Sequence, residues 1–262
     1  MRDEFKYVLP VDALPDVRRA IEPFVRLDEH GVGFEEVGYA VRSIYLDSAR
    51  LRFYHEKRGH LQHRKKIRIR GYNEPGVDPS VFLEIKRKSN AAIAKERTMM
   101  PYDDLLGLIQ TGRVAAHMAS LSVEDSAVVR RAFYHMFKHD LRPTCLVVYE
   151  REAFEGRFDR TFRITLDRNL RGVMYPDWHG LYEEDGLVDA LPGYFVMEVK
   201  FDIRMPAWMR QVISEFGIMQ RALSKYCVCI DAFERRIDTK SAVLACAPPI
   251  RTATQVSVHV TG

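Results

Sequence analysis

Polar and apolar residues alternate with a period of two in several short stretches of the chain, and each predicts a strand with one charged and one apolar face. In Arg64 to Arg70, the side chains of Arg64, Lys66, Arg68 and Arg70 share one face while Ile67 and Ile69 share the other. The pattern returns at Phe82 to Lys88, where Glu84, Lys86 and Lys88 oppose Leu83 and Ile85. It recurs at Thr161 to Asp167, with Arg163, Thr165 and Asp167 against Phe162, Ile164 and Leu166. From Phe195 to Asp202, Glu198, Lys200 and Asp202 oppose Phe195, Met197, Val199 and Phe201, and Arg2 to Leu9 sets Arg2, Glu4 and Lys6 on one side. Val41 to Asp47 and Cys145 to Arg151 are further β-rich runs, and Gly71 to Gly76 and Glu155 to Arg160 read as hairpin connections.

Between these strands the apolar spacing lengthens to that of helices, over about Asp12 to Glu22, Pro101 to Ile109, Val123 to His139 and Pro206 to Phe216. In the third of these, Val128, Ala132, Phe133, Met136 and Phe137 fall on one side. The helices are expected to cover the sheet, giving an α+β fold. After Ala222 to Tyr226 comes a last apolar stretch in which Cys227 and Cys229 read as residues on one face of a strand. The pattern is lost beyond about Ile237, so residues 1–237 are expected to form one domain, and the Ala, Thr, Pro and Val-rich residues 238–262 a tail without chemistry.

Composition narrows this further. With 47% hydrophobic and 29% charged residues over 262 positions, the chain can bury a sizeable core and is not of a disordered class. The opening Met1 to Lys6 lacks the apolar run of a signal peptide and no segment reaches about 18 consecutive apolar residues, which predicts a soluble, cytoplasmic protein. Cys145, Cys227, Cys229 and Cys246 lack the spacing of a zinc site and are too few for a disulfide framework, so buried reduced thiols are expected. His55, His60 and His63 fit no compact metal-ligand spacing and lie in a basic segment. The aromatic group Tyr175, Trp178 and Tyr182 reads as loop residues closing over a core.

Charge is unevenly placed. Arg50 to Arg97 holds 14 Lys/Arg against 5 Asp/Glu, whereas the whole chain carries only +4, which predicts a focused positive field and a polyanionic partner. An unpaired buried charge costs several kcal/mol, so the charged strand faces must be wet or paired. An open sheet with one solvated face satisfies this, as does a barrel with a hydrated, ligand-filled lumen. Glu4, Glu84, Asp167, Glu198 and Asp202 share faces with the cations, which favours a lumen where cations grip phosphates and carboxylates hold a divalent metal. A nucleic-acid surface would interleave aromatics with the basic positions, whereas Arg64 to Arg70 interleaves isoleucine, so no nucleic-acid partner is expected. No glycine-rich phosphate loop of the Walker type occurs.

The ordered set Glu4-x-Lys6, Ser43-Ile44-Tyr45-Leu46-Asp47, Arg68-x-Arg70, Glu84-x-Lys86-x-Lys88, Tyr149-x-Arg151, Arg163, Glu198-x-Lys200 and Ser224-Lys225 resembles the VTC domain, from about Phe5 to Phe233. That domain is the catalytic module of polyphosphate polymerases, among the triphosphate tunnel metalloenzymes related to the CYTH proteins. The resemblance implies an antiparallel β-barrel tunnel with a charged lumen, flanked by helices. It implies that Lys6, Arg68, Arg70, Lys86, Arg151, Arg163 and Lys225 act on the reacting phosphates. Lys88, Lys95, Tyr149, Lys200 and Ser224 would bind substrate, with Lys95 in the loop after the Phe82 to Lys88 strand, and Glu198 would hold Mn²⁺ or Mg²⁺. Two positions depart from the family's pattern: Lys88 stands where some members have histidine, and Ala222 where another lysine occurs.

The reaction implied is transfer of the γ-phosphoryl group of a nucleoside triphosphate such as ATP onto inorganic polyphosphate. Clustered Arg and Lys with a carboxylate-bound metal suffice for such chemistry without a covalent nucleophile. The departures leave open hydrolysis of tripolyphosphate or a nucleoside triphosphate, and a non-catalytic module holding polyphosphate or an inositol polyphosphate. Pyrophosphate and triphosphate belong to the same ligand class, and coupling of synthesis to membrane passage would require a membrane-protein partner.

Overall fold

The computed structural model describes residues 2–28, 38–76, 79–90, 92–113 and 121–234, so the expected tail of residues 238–262 lies outside the described residues. The alternating segments form strands whose order in one antiparallel sheet is β1 (Arg2–Pro10), β10 (Tyr194–Asp202), β8 (Arg163–Met174), β7 (Arg142–Gly156), β3 (Tyr39–Asp47), β4 (His63–Tyr72), β5 (Ser80–Ser89) and β6 (Ala92–Pro101). Two short strands, β2 (Val25–Leu27) and β9 (Val188–Asp189), pair with β7 and β8. The sheet curls into a half-barrel. Its edges β1 and β6 do not pair with each other among the described residues, but Lys86 Nζ on β5 reaches Glu4 Oε2 on β1 at 3.2 Å across the opening.

The period of two sets the layers. Outward residues of β3, β4 and β5, including Ile44, Ile67, Ile69, Leu83 and Ile85, pack under α3 (Tyr102–Thr111) and α4 (Val123–His139) through Leu105, Leu108, Val129 and Phe133. Outward residues of β1, β8 and β10, such as Leu9, Ile164 and Val199, pack under α1 (Leu14–Ile21) and α5 (Ala207–Glu215). Ser122 caps α4 by accepting a hydrogen bond from the Asp125 N–H at 3.0 Å. Phe137 departs from the expected apolar side of α4 and is 70% exposed, because the residues that meet the sheet are Val129, Ala132, Phe133 and Met136. Trp178 and Tyr182 pack against the α3/α4 core as expected, while Tyr175 is exposed.

The third apolar layer lies inside the curl. Helix α6 (Lys225–Glu234) packs Tyr226, Cys227, Cys229 and Ile230 against inward residues of β3, β7 and β8, namely Val41, Tyr45, Cys145, Val147, Tyr149 and Leu170. The strand expected at Cys227 and Cys229 is therefore this helix. An element enclosed by sheet buries residues all round, so its apolar positions carry no helical period. Both thiols are free and buried, as is Cys145. Gly172 on β8 makes the approach possible, since a Cβ there would stand 2.8 Å from Cys229 Cβ and 3.0 Å from the Leu146 carbonyl oxygen.

Candidate active site

The inward side of the curl divides into the apolar part filled by α6 and a charged part above it. Strand alternation delivers Glu4 and Lys6 from β1, Glu198 and Lys200 from β10, Thr165 and Asp167 from β8, and Tyr149 and Arg151 from β7. Lys66, Arg68 and Arg70 come from β4, and Glu84 and Lys86 from β5. The first residue of α6 adds Lys225. Its Nζ lies 2.6 Å from both Glu198 Oε1 and Asp167 Oδ2, over the Tyr149 ring at 4.8 Å.

Glu198, 5% exposed, is the hub of this half. Besides Lys225 it meets Lys6 at 3.0 Å, Arg151 at 3.8 Å and Lys200 at 3.9 Å. Arg151 holds Asp167 through two donors at 2.6 and 2.7 Å, a bidentate fork that fixes the guanidinium plane. Burial alone would raise both carboxyls, but Lys225, Lys6 and Arg151 hold Glu198, and Arg151 and Lys225 hold Asp167, below the ordinary range. Glu4 is likewise opposed by burial yet brought down to about 2, chiefly by Lys6.

The other half is built on β4 and β5. Arg68 donates to Glu84 Oε2 at 2.6 Å and to the Tyr45 hydroxyl at 2.8 Å, and Lys95 reaches Glu84 Oε1 at 2.6 Å. Lys95 thus lies on strand β6, opposite Lys86, and not in a loop. This edge strand is mostly exposed on both faces, so selection for alternating apolar residues is absent and the strand was invisible in the pattern. Lys66 donates to Ser224 Oγ at 2.6 Å, which ties the two halves together. Arg70, only 6% exposed, donates to Ser43 Oγ at 3.0 Å and meets the Tyr149 hydroxyl at 3.4 Å.

Among the described residues no carboxylate forms an ion pair with Arg70 or Lys66, and Lys66 stands directly opposite Lys86 in the ladder. Burial first, with Lys6 and Lys86 adding to it, brings Lys66 down to about 8, and Lys200 falls to about 8, chiefly by burial. Tyr45 is also drawn down to about 8, since Arg68, Lys66 and Arg70 outweigh the upward effect of burial.

Of the expected residues, Lys6, Arg68, Arg70, Lys86, Lys95, Tyr149, Arg151, Glu198, Lys200, Ser224 and Lys225 converge on this face. Arg163 lies at its end and pairs with Asp28. Lys88 sits apart, on a cleft at the mouth. The alternation placed Lys66 and Asp167 on charged strand faces without giving either a role of its own, and Tyr45 was quoted only as part of its strand.

The curled antiparallel sheet with its charged inner face agrees with the tunnel architecture expected from the sequence. The VTC domain model matches residues 1–234, and the chain belongs to that family. It is 24% identical over 229 residues to vacuolar transporter chaperone complex subunit 4 of Trypanosoma cruzi (strain CL Brener), covering 74% of this chain and 28% of that protein. It is 26% identical over 254 residues to the subunit of the same name from Trypanosoma brucei brucei, covering 81% and 32%. The chain therefore spans about a third of the length of these relatives. Among solved structures, a putative adenylyl cyclase from Hippeastrum, HpAC1, described as having a dominant triphosphatase activity, superposes with a TM-score of 0.50 at 13% identity, covering 88% of this chain and 96% of that one. Among the described residues no helix is long and apolar enough to cross a membrane.

Proposed function

We propose that this domain transfers the γ-phosphoryl group of a nucleoside triphosphate, ATP in the first instance, onto the end of an inorganic polyphosphate chain held along the charged inner face. The observation that carries this reading is Arg70. It is a buried guanidinium whose partners are two neutral hydroxyls, in a site already crowded with cations. Glu84 acts on this guanidinium through its field, but the Glu84 oxygens are taken by Arg68 and Lys95, so a phosphate oxygen would supply the direct counter-charge that Arg70 lacks among the described residues.

Each residue then has a task that its geometry suits. Arg68 and Arg151 are pinned by Glu84 and Asp167, so their remaining donors are preorganised for phosphoryl oxygens at little entropic cost. Lys6, Lys86, Lys200 and Lys225 neutralise non-bridging oxygens, and Lys66 with Ser224 orients the adjoining phosphate. In the step itself, a terminal oxygen of the polyphosphate forms a bond to the γ-phosphorus and the bond to the β-bridging oxygen breaks, releasing the diphosphate.

Among the described residues no group of three or more His, Cys, Asp or Glu side chains stands together as a metal site, so Mn²⁺ or Mg²⁺ would be held by two carboxylates together with the substrate. Glu198 and Glu4 are ionised, hard oxygen ligands that share Lys6 and Lys200, and such ions take one or two protein carboxylates and complete their shell with phosphate and water. Bound there, the metal would supply charge neutralisation on the phosphates. The free thiols accord with a reducing, cytoplasmic setting. The relatives are named as subunits of a vacuolar transporter chaperone complex, which supports assembly of this domain with further proteins, a membrane-protein partner being the one proposed.

A second reading, hydrolysis of tripolyphosphate or of the nucleotide, is favoured by the two departures from the family pattern. Lys88 and Ala222 line the same cleft at the mouth, where an acceptor chain would lie. Incubating the protein with ATP and Mn²⁺ and reading products by ³¹P NMR separates these. Internal-phosphate signal supports the polymerase, orthophosphate alone the hydrolase, and intact nucleotide with shifted resonances a binding module.

A further inference from the structure

The two ends of the charged inner face differ in chemistry. At one end stand Arg64 and Lys88, direct cross-strand partners, with Lys57 of helix α2 (Arg52–Arg58) beside them. At the other end strand alternation delivers aromatic rings. Tyr72 follows Arg70 by two positions on β4, and Phe82 stands directly opposite Arg70 on β5. Tyr39 joins them from β3, two positions before Val41, and both tyrosines border the apolar layer inside the curl. The rings form a run, with Tyr39 and Tyr72 edge to face at 5.8 Å and Tyr72 and Phe82 edge to face at 6.1 Å.

Strand β6 completes this end. Arg97 lies opposite Glu84 and Met99 opposite Phe82, so both point inward, and the Arg97 guanidinium rests over the Phe82 ring at 4.8 Å. The outward Thr98 and Met100 on either side of Met99 are buried, whereas Met99 is 57% exposed. Tyr39, Tyr72 and Phe82 are themselves only half-buried. Met99 and the rings therefore make one contiguous apolar surface turned toward a charged cavity, and such surfaces mark ligand grooves where single exposed apolar residues do not. A phosphate chain has no apolar part with which to cover it. Of the reactants proposed above, only the nucleotide has one.

We infer that Tyr39, Tyr72, Phe82, Arg97 and Met99 form a nucleobase subsite, in which the base of the nucleoside triphosphate lies against the rings and its phosphates lead inward to Arg70. The inference rests on the reading that the inner face grips the triphosphate, and it adds what selects a nucleotide over inorganic triphosphate. Tyr72 is one inward step, about 7 Å, beyond Arg70, a span that a ribose bridges. Aromatic rings take the apolar faces of the base, and the exposed Arg97 guanidinium adds a cation over the ring plane.

The test is the Tyr72→Leu, Phe82→Leu double variant, titrated calorimetrically with ATP and separately with inorganic triphosphate. The expected result is unchanged triphosphate affinity and a loss of about tenfold for ATP, the size expected when stacking on one base is removed. A second readout needs only wild-type protein. The Met99 methyl signal, identified in a ¹³C-methyl methionine spectrum by its absence from Met99→Leu, is expected to move under the ring current of the base when ATP is added and to stay in place with triphosphate. Equal losses for both ligands, no loss for ATP, or a Met99 signal that answers both ligands alike would overturn the subsite while leaving the inner-face reading intact. Wild-type protein that holds neither ligand would overturn the inner-face reading, and the subsite with it.

Discussion

Lys225 and Glu198 meet at 2.6 Å, the lysine from the first residue of a helix and the carboxylate from the middle of a strand. With Asp167 at the same distance from the lysine, the contact fastens the inserted helix to the charged face. Replacing Lys225 with methionine leaves two carboxylates, 5% and 1% exposed, short of their nearest cation. Breaking a buried ion pair in this way costs about 3–5 kcal/mol, to be read as a lower midpoint in urea. A variant as stable as the wild type would show that the lysine is not a structural counter-charge.

The same cluster sets an acid limit. Glu4 falls from 4.5 to about 2 on folding, and Glu198 and Asp167 also move down. The unfolded chain therefore binds more protons as pH falls through this range. The stabilisation is complete above pH 4.5 and is lost as pH drops toward 2, which denaturation midpoints across that window would record.

On the alkaline side the slope of stability with pH keeps this sign, although here the folded state is the one burdened by the charged form. Lys66 and Lys200 ionise at about 8 in the folded protein against 10.5 ordinarily, so the unfolded chain holds more protons between those values and these two groups make stability rise with pH there. A bound polyanion pushes both upward again. Binding of triphosphate at pH near 8 is therefore expected to take up protons, seen as a binding heat that differs between buffers of different ionisation enthalpy, and affinity is expected to fall above that pH. Buffer-independent heat would contradict this. Tyr45, at about 8, should contribute a tyrosinate absorbance change that Tyr45→Phe removes.

Seating of α6 depends on one glycine. Gly172→Ala would place a methyl against the Cys229 side chain and the Leu146 carbonyl, and displace the helix that carries Lys225. A destabilisation of about 1–3 kcal/mol and weakened triphosphate binding are expected. Gly76→Ala, with nothing within 4 Å of the added carbon, is the neutral control.

Much of this was legible in the chain because strand alternation writes an inner face directly. Arg68, Arg70, Lys86, Glu198 and Lys200 could be placed from spacing alone, and the apolar partners Ile67, Ile69 and Val199 identified the opposite face. What spacing could not show were elements defined by distant contacts. Helix α2 lies in a basic segment with little apolar period, and its first turn is held by Asp47, whose carboxylate accepts from the Phe53 and Tyr54 N–H groups at 2.9 Å. Helix α6 was misread because it is surrounded. Tyr45 was missed because its significance comes from the Lys66, Arg68 and Arg70 side chains around it, which a neutral residue in an apolar strand does not announce.

Arg70 gives the most direct test of the claim that the inner face is built for a polyanion. Its guanidinium, buried and met among the described residues by the Ser43 and Tyr149 hydroxyls, should be a liability in the empty protein and an asset with ligand bound. Arg70→Met should therefore be as stable as the wild type, or more stable by about 1–4 kcal/mol, while its affinity for inorganic triphosphate falls by roughly a hundredfold, both read from urea denaturation and calorimetric titration of the same preparation. A variant that loses several kcal/mol of stability yet binds triphosphate as tightly as before would mean that Arg70 is a structural residue and that the phosphate site lies elsewhere.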